Sequence, residues 1–109
     1  MSAPEGFRRV AAVAELRERR GVQILVEGRP VALWRVEGSV YAIDGLCPHM
    51  HFPTMHLAQL EGMAVTCPMH GWTFALGDGR ELEGNGRVKT YRVHCEGGDV
   101  YIEDRGSVW

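Results

Sequence analysis

Two short stretches of this chain carry residue types that bind transition metals. Cys47-Pro48-His49 forms the first. Cys67-Pro68-Met69-His70, followed at once by Gly71-Trp72, forms the second. The pattern is C-x-H, seventeen intervening residues, then C-x-x-H. Two soft thiolates with two imidazoles are a ligand set for zinc, or for a two-iron centre in which two His replace two Cys. The order within the loops bears on that choice. Each loop supplies one Cys and one His, and a proline follows each Cys. A mixed-ligand [2Fe–2S] centre needs such a division, because one iron takes both sulfurs and the other both nitrogens. Two alternatives stand beside it. A zinc site would use the same four side chains, although this spacing departs from the usual zinc-finger spacings. A Cys47–Cys67 disulfide would leave the two His incidental.

These loops must be held by the elements around them, and the chain reads as short strands punctuated by glycine. Phe7–Val13 predicts an edge strand. Ala14–Arg20 is the one stretch of helix-like composition, and Gly21 ends it. Val22–Glu27 and Val31–Val36 are apolar runs joined by a turn signal, Gly28-Arg29-Pro30. Val40–Ile43 follows a hairpin signal, Glu37-Gly38-Ser39. Met63–Thr66 leads into the second loop, Trp72–Leu76 leaves it, and Gly77-Asp78-Gly79 is a turn. Val88–His94 and Val100–Glu103 predict a last hairpin around Gly97-Gly98. Several strands at close spacing with turns between them argue for an all-β sandwich or barrel. The two ligand loops read as the tips of two hairpin-like excursions from that base.

Composition bounds the rest. At 109 residues the chain is expected to form one domain, 1–109. A formal charge of −2 offers no basic patch for nucleic acid or an anionic membrane. Met1–Arg9 has no apolar core of a signal peptide. Val10–Ala14, the longest apolar run near it, is far short of the roughly 20 residues that span a bilayer. Three cysteines without an export signal favour metal binding over a disulfide framework. A cytoplasmic protein is expected.

The segment from Cys47 to Phe74 resembles the cluster-binding segment of Rieske ferredoxins, the small electron carriers that serve bacterial ring-hydroxylating dioxygenases. The shared pattern is C-P-H, then C-P-x-H-G-W-x-F. The likeness extends more loosely to Tyr41-Ala42-Ile43-Asp44-Gly45 before it and to the tail Glu96-Gly97-Gly98-Asp99-Val100-Tyr101-Ile102. The resemblance implies an all-β, Rieske-like sandwich or barrel base with a small cluster-binding subdomain, about 45–75, formed by the two loops. It implies one [2Fe–2S] cluster per chain, with Cys47 and Cys67 on the inner iron and His49 and His70 on the outer.

High-potential members of that family add cysteines that form a disulfide across the loops, and Ser and Tyr hydroxyls that donate to the sulfurs. Here Met69 stands at the second extra Cys, and Trp72 and Phe74 stand at the Ser and Tyr. Fewer donors leave the reduced cluster less stabilised. The expected potential is therefore near the low end of the Rieske range, roughly −150 mV. A ligated imidazole keeps a titratable N–H, so the potential is expected to fall as pH rises through that ionisation. Two departures stand out. Ala75 replaces the Asp of many such ferredoxins, and Glu83-Gly84-Asn85-Gly86 lacks the proline of the family's third loop. That loop is expected to be more mobile.

Other residues read more plainly. His51 competes with His49 on spacing alone, and the motif assigns the ligand to His49. His56 and His94 read as ordinary surface or partly buried histidines, and Cys95 as a small half-buried thiol. Trp72, Phe52, Pro53 and Met55 are expected to cover the cluster. No Gly-rich nucleotide fingerprint is present, and the four ligands fill the cluster's coordination. The expected role is therefore that of a carrier and not of an enzyme by itself. The resemblance implies two transient partners, a flavin-containing, NAD(P)H-dependent reductase and a terminal oxygenase, with no nucleic acid and no membrane. The alternatives are a small Rieske-like subunit of a nitrite reductase type complex, and a zinc-stabilised interaction module.

Overall fold

A computed structural model describes residues 6–47, 52–68, 71–82, 84 and 86–103. These residues form ten strands and two single turns of 3-10 helix. The strands are β1 Phe7–Ala12, β2 Gly21–Val26, β3 Arg29–Val36, β4 Ser39–Asp44 and β5 Gln59–Glu61. They continue as β6 Ala64–Thr66, β7 Thr73–Ala75, β8 Thr90–Tyr91, β9 Val93–Glu96 and β10 Asp99–Glu103. Three antiparallel sheets result, in the orders β1-β10-β9, β2-β3-β4-β8 and β5-β6-β7. The expected all-β class is what the chain adopts.

The β2-β3-β4-β8 sheet is the middle layer. Along β3 the side chains alternate between two apolar clusters. Val31 and Leu33 join Ala11, Leu16, Ala42, Val100 and Ile102 on one side. Ala32, Trp34 and Val36 join Ile43, Met55, Val65, Phe74 and both loop cysteines on the other. A strand covered on both faces reads as a continuous apolar run, which is why Val31–Trp34 carries no polar alternation.

Tight turns set the register of the middle sheet. Glu27-Gly28 has φ of +52° and +83°, and Glu37-Gly38 has +51° and +85°. Two successive left-handed residues make the turn whose twist matches that of the strands it joins. The β2–β3 turn therefore lies one residue before the predicted Gly28-Arg29-Pro30. Arg29 and Pro30 already belong to β3, paired with Val26 and Leu25.

Other expectations are corrected. Ala14–Arg20 is not a helix. A 3-10 turn covers only Val13–Glu15, and the chain then runs beside β3. Leu16 is its one buried side chain, so no apolar stripe exists to hold a helix on the core. The Arg19 N–H donates to the Arg35 carbonyl at 2.6 Å, and the Glu18 carboxylate accepts the Glu37 N–H at 2.6 Å. Val88–His94 is not one strand either. Thr90–Tyr91 pairs with β4 and Val93–Glu96 with β10, so the chain changes sheets at Arg92. The first cysteine loop is a crossover from β4 to β5, between sheets; only the second is a hairpin, β6 to β7. β1 lies at an edge as expected, paired with β10 alone.

Candidate metal centre

The first loop leaves β4 through Asp44-Gly45. The Asp44 carboxylate accepts the Leu46 N–H at 3.0 Å, the usual way an Asp starts a turn. The Gly45 N–H donates to the Pro30 carbonyl at 2.9 Å. A Cβ on Gly45 would stand 2.8 Å from the Pro30 carbonyl carbon, so the loop root passes β3 at a distance only glycine allows. The Cys47 N–H then donates to the Phe52 carbonyl at 3.0 Å, and that carbonyl also accepts from Thr54 at 2.8 Å. Past Thr54 the second 3-10 turn, Met55–Leu57, buries Met55 completely.

The second loop repeats this closure. The Cys67 N–H donates to the Trp72 carbonyl at 2.8 Å, and the Gly71 N–H donates to the Cys67 carbonyl at 2.9 Å. Below it the hydroxyls of Thr66 and Thr73 meet at 3.1 Å across the strand pair. In both loops the cysteine N–H bonds the carbonyl five residues on.

Cys47 and Cys67 are both fully buried, in one apolar cluster, and neither is in a disulfide. The Cys47–Cys67 disulfide is thereby set aside. The Thr54 hydroxyl lies 4.0 Å from Cys67 Sγ and ties the two loops together. His49, His70 and His51 lie outside the described residues. A pair of buried thiols suits a metal centre, since two thiolates in an apolar pocket need cationic charge beside them. The sulfur half of the expected ligand set therefore fits an iron–sulfur cluster.

The surroundings differ in part from expectation. Met55 is buried, but Phe52 and Trp72 keep 43% and 36% of their surface exposed. Of the third loop, Glu83 and Asn85 lie outside the described residues; at its ends the Glu81 N–H donates to the Gly86 carbonyl at 2.9 Å, and the Glu81 carboxylate accepts the Gly86 N–H at 3.1 Å. The Leu82 N–H donates to the Thr73 carbonyl at 2.9 Å, which sets this loop beside the second. Thr54 and Glu81 were not singled out in the sequence. The Thr54 contact joins separate loops and the Glu81 contact spans five residues of its own loop, and no local pattern announces either.

The remaining candidates lie elsewhere. Cys95 is exposed on β9 and not half-buried, and partial burial of its thiol still raises the pKa. His94 meets Phe7 edge-on, lies tilted against Tyr101, and meets Glu96 at 2.9 Å. His56 is half-buried, with Nδ1 enclosed and unbonded. Lys89 has its pKa lowered to about 8, first by burial and then by Arg29, while Asp44 opposes the shift. Among the described residues no helix is long and apolar enough to cross a membrane.

Comparison with known proteins agrees with this arrangement. Residues 6–92 match the family model described as Rieske [2Fe-2S] domain. The ferredoxin component of the naphthalene 1,2-dioxygenase system of Pseudomonas aeruginosa is 38% identical, over 84% of this chain and 89% of its own. The Sphingomonas yanoikuyae B1 ferredoxin superposes with a TM-score of 0.79 at 28% identity, covering 88% of this chain and 96% of that one. A protein described as an NADH-dependent nitrite reductase small subunit, from Mycobacterium tuberculosis, superposes at 0.81 with 27% identity, covering 88% and 92%.

Proposed function

The chain belongs to the Rieske [2Fe-2S] domain family, and we propose that it is an electron-transfer protein that passes electrons from an NAD(P)H-dependent flavin reductase to a terminal oxygenase. When bound, a [2Fe–2S] cluster supplies reversible one-electron chemistry at a potential set by its ligands and surroundings. The observation that carries the reading is the pair of fully buried cysteines on two loops closed in the same way. Its support from relatives is the 38% identity to a dioxygenase ferredoxin component across most of both chains.

Within that reading Cys47, His49, Cys67 and His70 hold one cluster per chain. The chain acts as a single domain, 1–109, with the cluster carried by about residues 45–75. It works in the cytoplasm as a carrier, without catalysis of its own. The protein residues do three things. The loop closures fix where the thiols sit, the Thr54 hydroxyl stands beside one sulfur, and Met55, Val65, Phe74 and Leu76 exclude water from the inner side.

The nitrite reductase small-subunit reading shares the fold but rests on lower identity, 27% against 38%. Low-temperature EPR on dithionite-reduced, anaerobically purified protein tests the proposal, with iron and zinc counted on the same sample. The expected result is a rhombic signal with average g below 2 and two irons per chain. A colourless, EPR-silent protein with one zinc overturns it. Stable co-purification with a large sirohaem-containing chain would move the assignment to the reductase complex.

A further inference from the structure

The strand β2 pairs with β3 on one side, and among the described residues no strand meets its other side. The two-residue turn bonds Val26 to Arg29, and alternation along the ladder then gives Val22, Ile24 and Val26 to β3. The main-chain N–H and C=O groups of Gly21, Gln23 and Leu25 are left along the open edge. Sheet edges are normally blunted by shortness, charge, proline or a bulge. Here β5, β7 and β8 are two or three residues long. β1 carries Arg8, Arg9 and a break in register after Arg9, and β9 carries His94 and Glu96. From Gly21 to Val26, β2 has no charge, no proline and no bulge, and Leu25 on it is 66% exposed. Charges of opposite sign stand at its two ends. Arg19 and Arg20 precede it and Glu27 follows it, all three exposed.

We infer that β2 is a self-association edge, which pairs antiparallel with β2 of a second copy of this chain about a twofold axis at Gln23. The inference stands apart from the electron-carrier reading and does not need it. In such a pair an outward residue faces an outward residue, so Gln23 meets its own copy and Leu25 meets the copy's Gly21. Glycine offers no side chain to obstruct the incoming leucine. A Cβ on Gly21 would strike the His56 carbonyl, so the 3-10 turn Met55–Leu57 lies against this end of β2. Leu57, next in the chain and 62% exposed, gives the copy's Leu25 an apolar neighbour. The same register sets Glu27 opposite the copy's Arg19, with Arg20 beside it. A parallel copy would set acid on acid and base on base, which opposes pairing. The charge order along the edge thus selects an antiparallel copy of the chain itself. A strand of six residues with two leucine contacts buries less than about 1,200 Å², so the dimer is weak and depends on concentration.

Sedimentation velocity on the purified full chain, from about 5 to about 500 µM, tests this. The weight-average mass is expected to rise from the monomer value towards twice it and no further, because each chain offers one such edge. Amide hydrogen exchange at Gln23 and Leu25 is expected to slow over the same range, a readout that needs no variant. Gln23→Lys brings two ammonium groups together at the axis, and Leu25→Glu sets a carboxylate against Gly21 and Leu57 of the copy. Both side chains are exposed in the single chain, so each variant is expected to fold as wild type and to associate at least about tenfold more weakly. Leu82→Glu, at an exposed leucine outside β2, is expected to associate as wild type does. A mass that stays monomeric over the whole range overturns the inference. So does an association that both β2 variants keep, or one that grows beyond two chains. A monomer whose Gln23 and Leu25 amides exchange slowly at every concentration also overturns it, and makes another segment of the same chain the occupant of the edge.

Discussion

The main-chain N–H of Cys67 donates to the carbonyl of Trp72 at 2.8 Å, and Cys47 stands in the same relation to Phe52 at 3.0 Å. Each thiol is thus the first residue of a six-residue loop closed by its own backbone. The closure asks nothing of the intervening side chains, which leaves them available as ligands or as surface.

The ligand assignment makes the sharpest prediction. Cys47→Ser, His49→Ala, Cys67→Ser and His70→Ala each should abolish the reduced EPR signal and leave under one iron per chain. His51→Ala and Cys95→Ala should keep both signal and iron. A variant at His51 that loses the cluster while His49→Ala keeps it would exchange those two roles.

Thr54 should tune the potential. Its hydroxyl lies 4.0 Å from Cys67 Sγ, a long and weak contact. Donation to the sulfur favours the more negative, reduced state. A weak bond of about 0.5–1 kcal/mol corresponds to roughly 20–40 mV for one electron. Thr54→Val should lower the midpoint by that amount, and Thr54→Ser should restore it. An unchanged midpoint in Thr54→Val would remove the hydroxyl from the argument.

Thiol chemistry should separate the three cysteines. In the native holoprotein only Cys95, exposed on β9, should react with an aromatic disulfide reagent. Its raised pKa lowers the thiolate fraction, so the reaction should be slower than that of a free thiol at the same pH. After denaturation and cluster removal three thiols should titrate. Two or more fast thiols in the native state would mean that Cys47 and Cys67 are not held as described.

Lys89 sets a pH dependence of stability. Its folded pKa of about 8 lies below the ordinary lysine value of 10.5, so the unfolded chain binds this proton more tightly between those values. Stability from this group should therefore rise as pH climbs from about 8 towards 10.5, and stay at its lower level below 8. With solvent screening of a partly solvated ammonium, the gain is about 1 kcal/mol. Lys89→Met should be more stable than wild type at pH 7, and the difference should shrink by pH 10. Urea midpoints of the two proteins that differ equally at both pH values would disprove it.

Much of this was legible in the sequence, for identifiable reasons. The Cys-Pro-His and Cys-Pro-Met-His runs are local, and Asp44-Gly45 is a local turn signal. The strands β2 to β4 follow from apolar runs between Gly turns. What escaped depends on distant partners. Val88–His94 looks like one strand, but Thr90 and Tyr91 pair with β4 while Val93 and His94 pair with β10. Ala14–Arg20 has helix-forming residues, but only Leu16 among them is buried, and Arg35 and Glu37 bind its backbone and side chains where a helix would need its own bonds. β5 has a single apolar residue, Leu60, flanked by Gln59 and Glu61, too short a pattern to read unaided.

The main-chain N–H of Asp44 donates to the carbonyl of Lys89 at 2.8 Å, so everything between them leaves the middle sheet and returns to it at adjacent points. In the language of protein engineering, residues 45–88 are an insert whose ends are already stitched, and a short turn from Asp44 to Lys89 would close β4 and β8 into an ordinary hairpin. Yet Trp34 and Ile43 of the parent sheet are 1% and 0% exposed, in the same cluster as Cys47, Cys67, Phe74 and Leu76 of the insert. Excision would bare that apolar face to water. The segment is portable in connectivity but not in energy, and a scaffold receiving it would have to offer a Trp-and-Ile-lined sheet of its own as its seat.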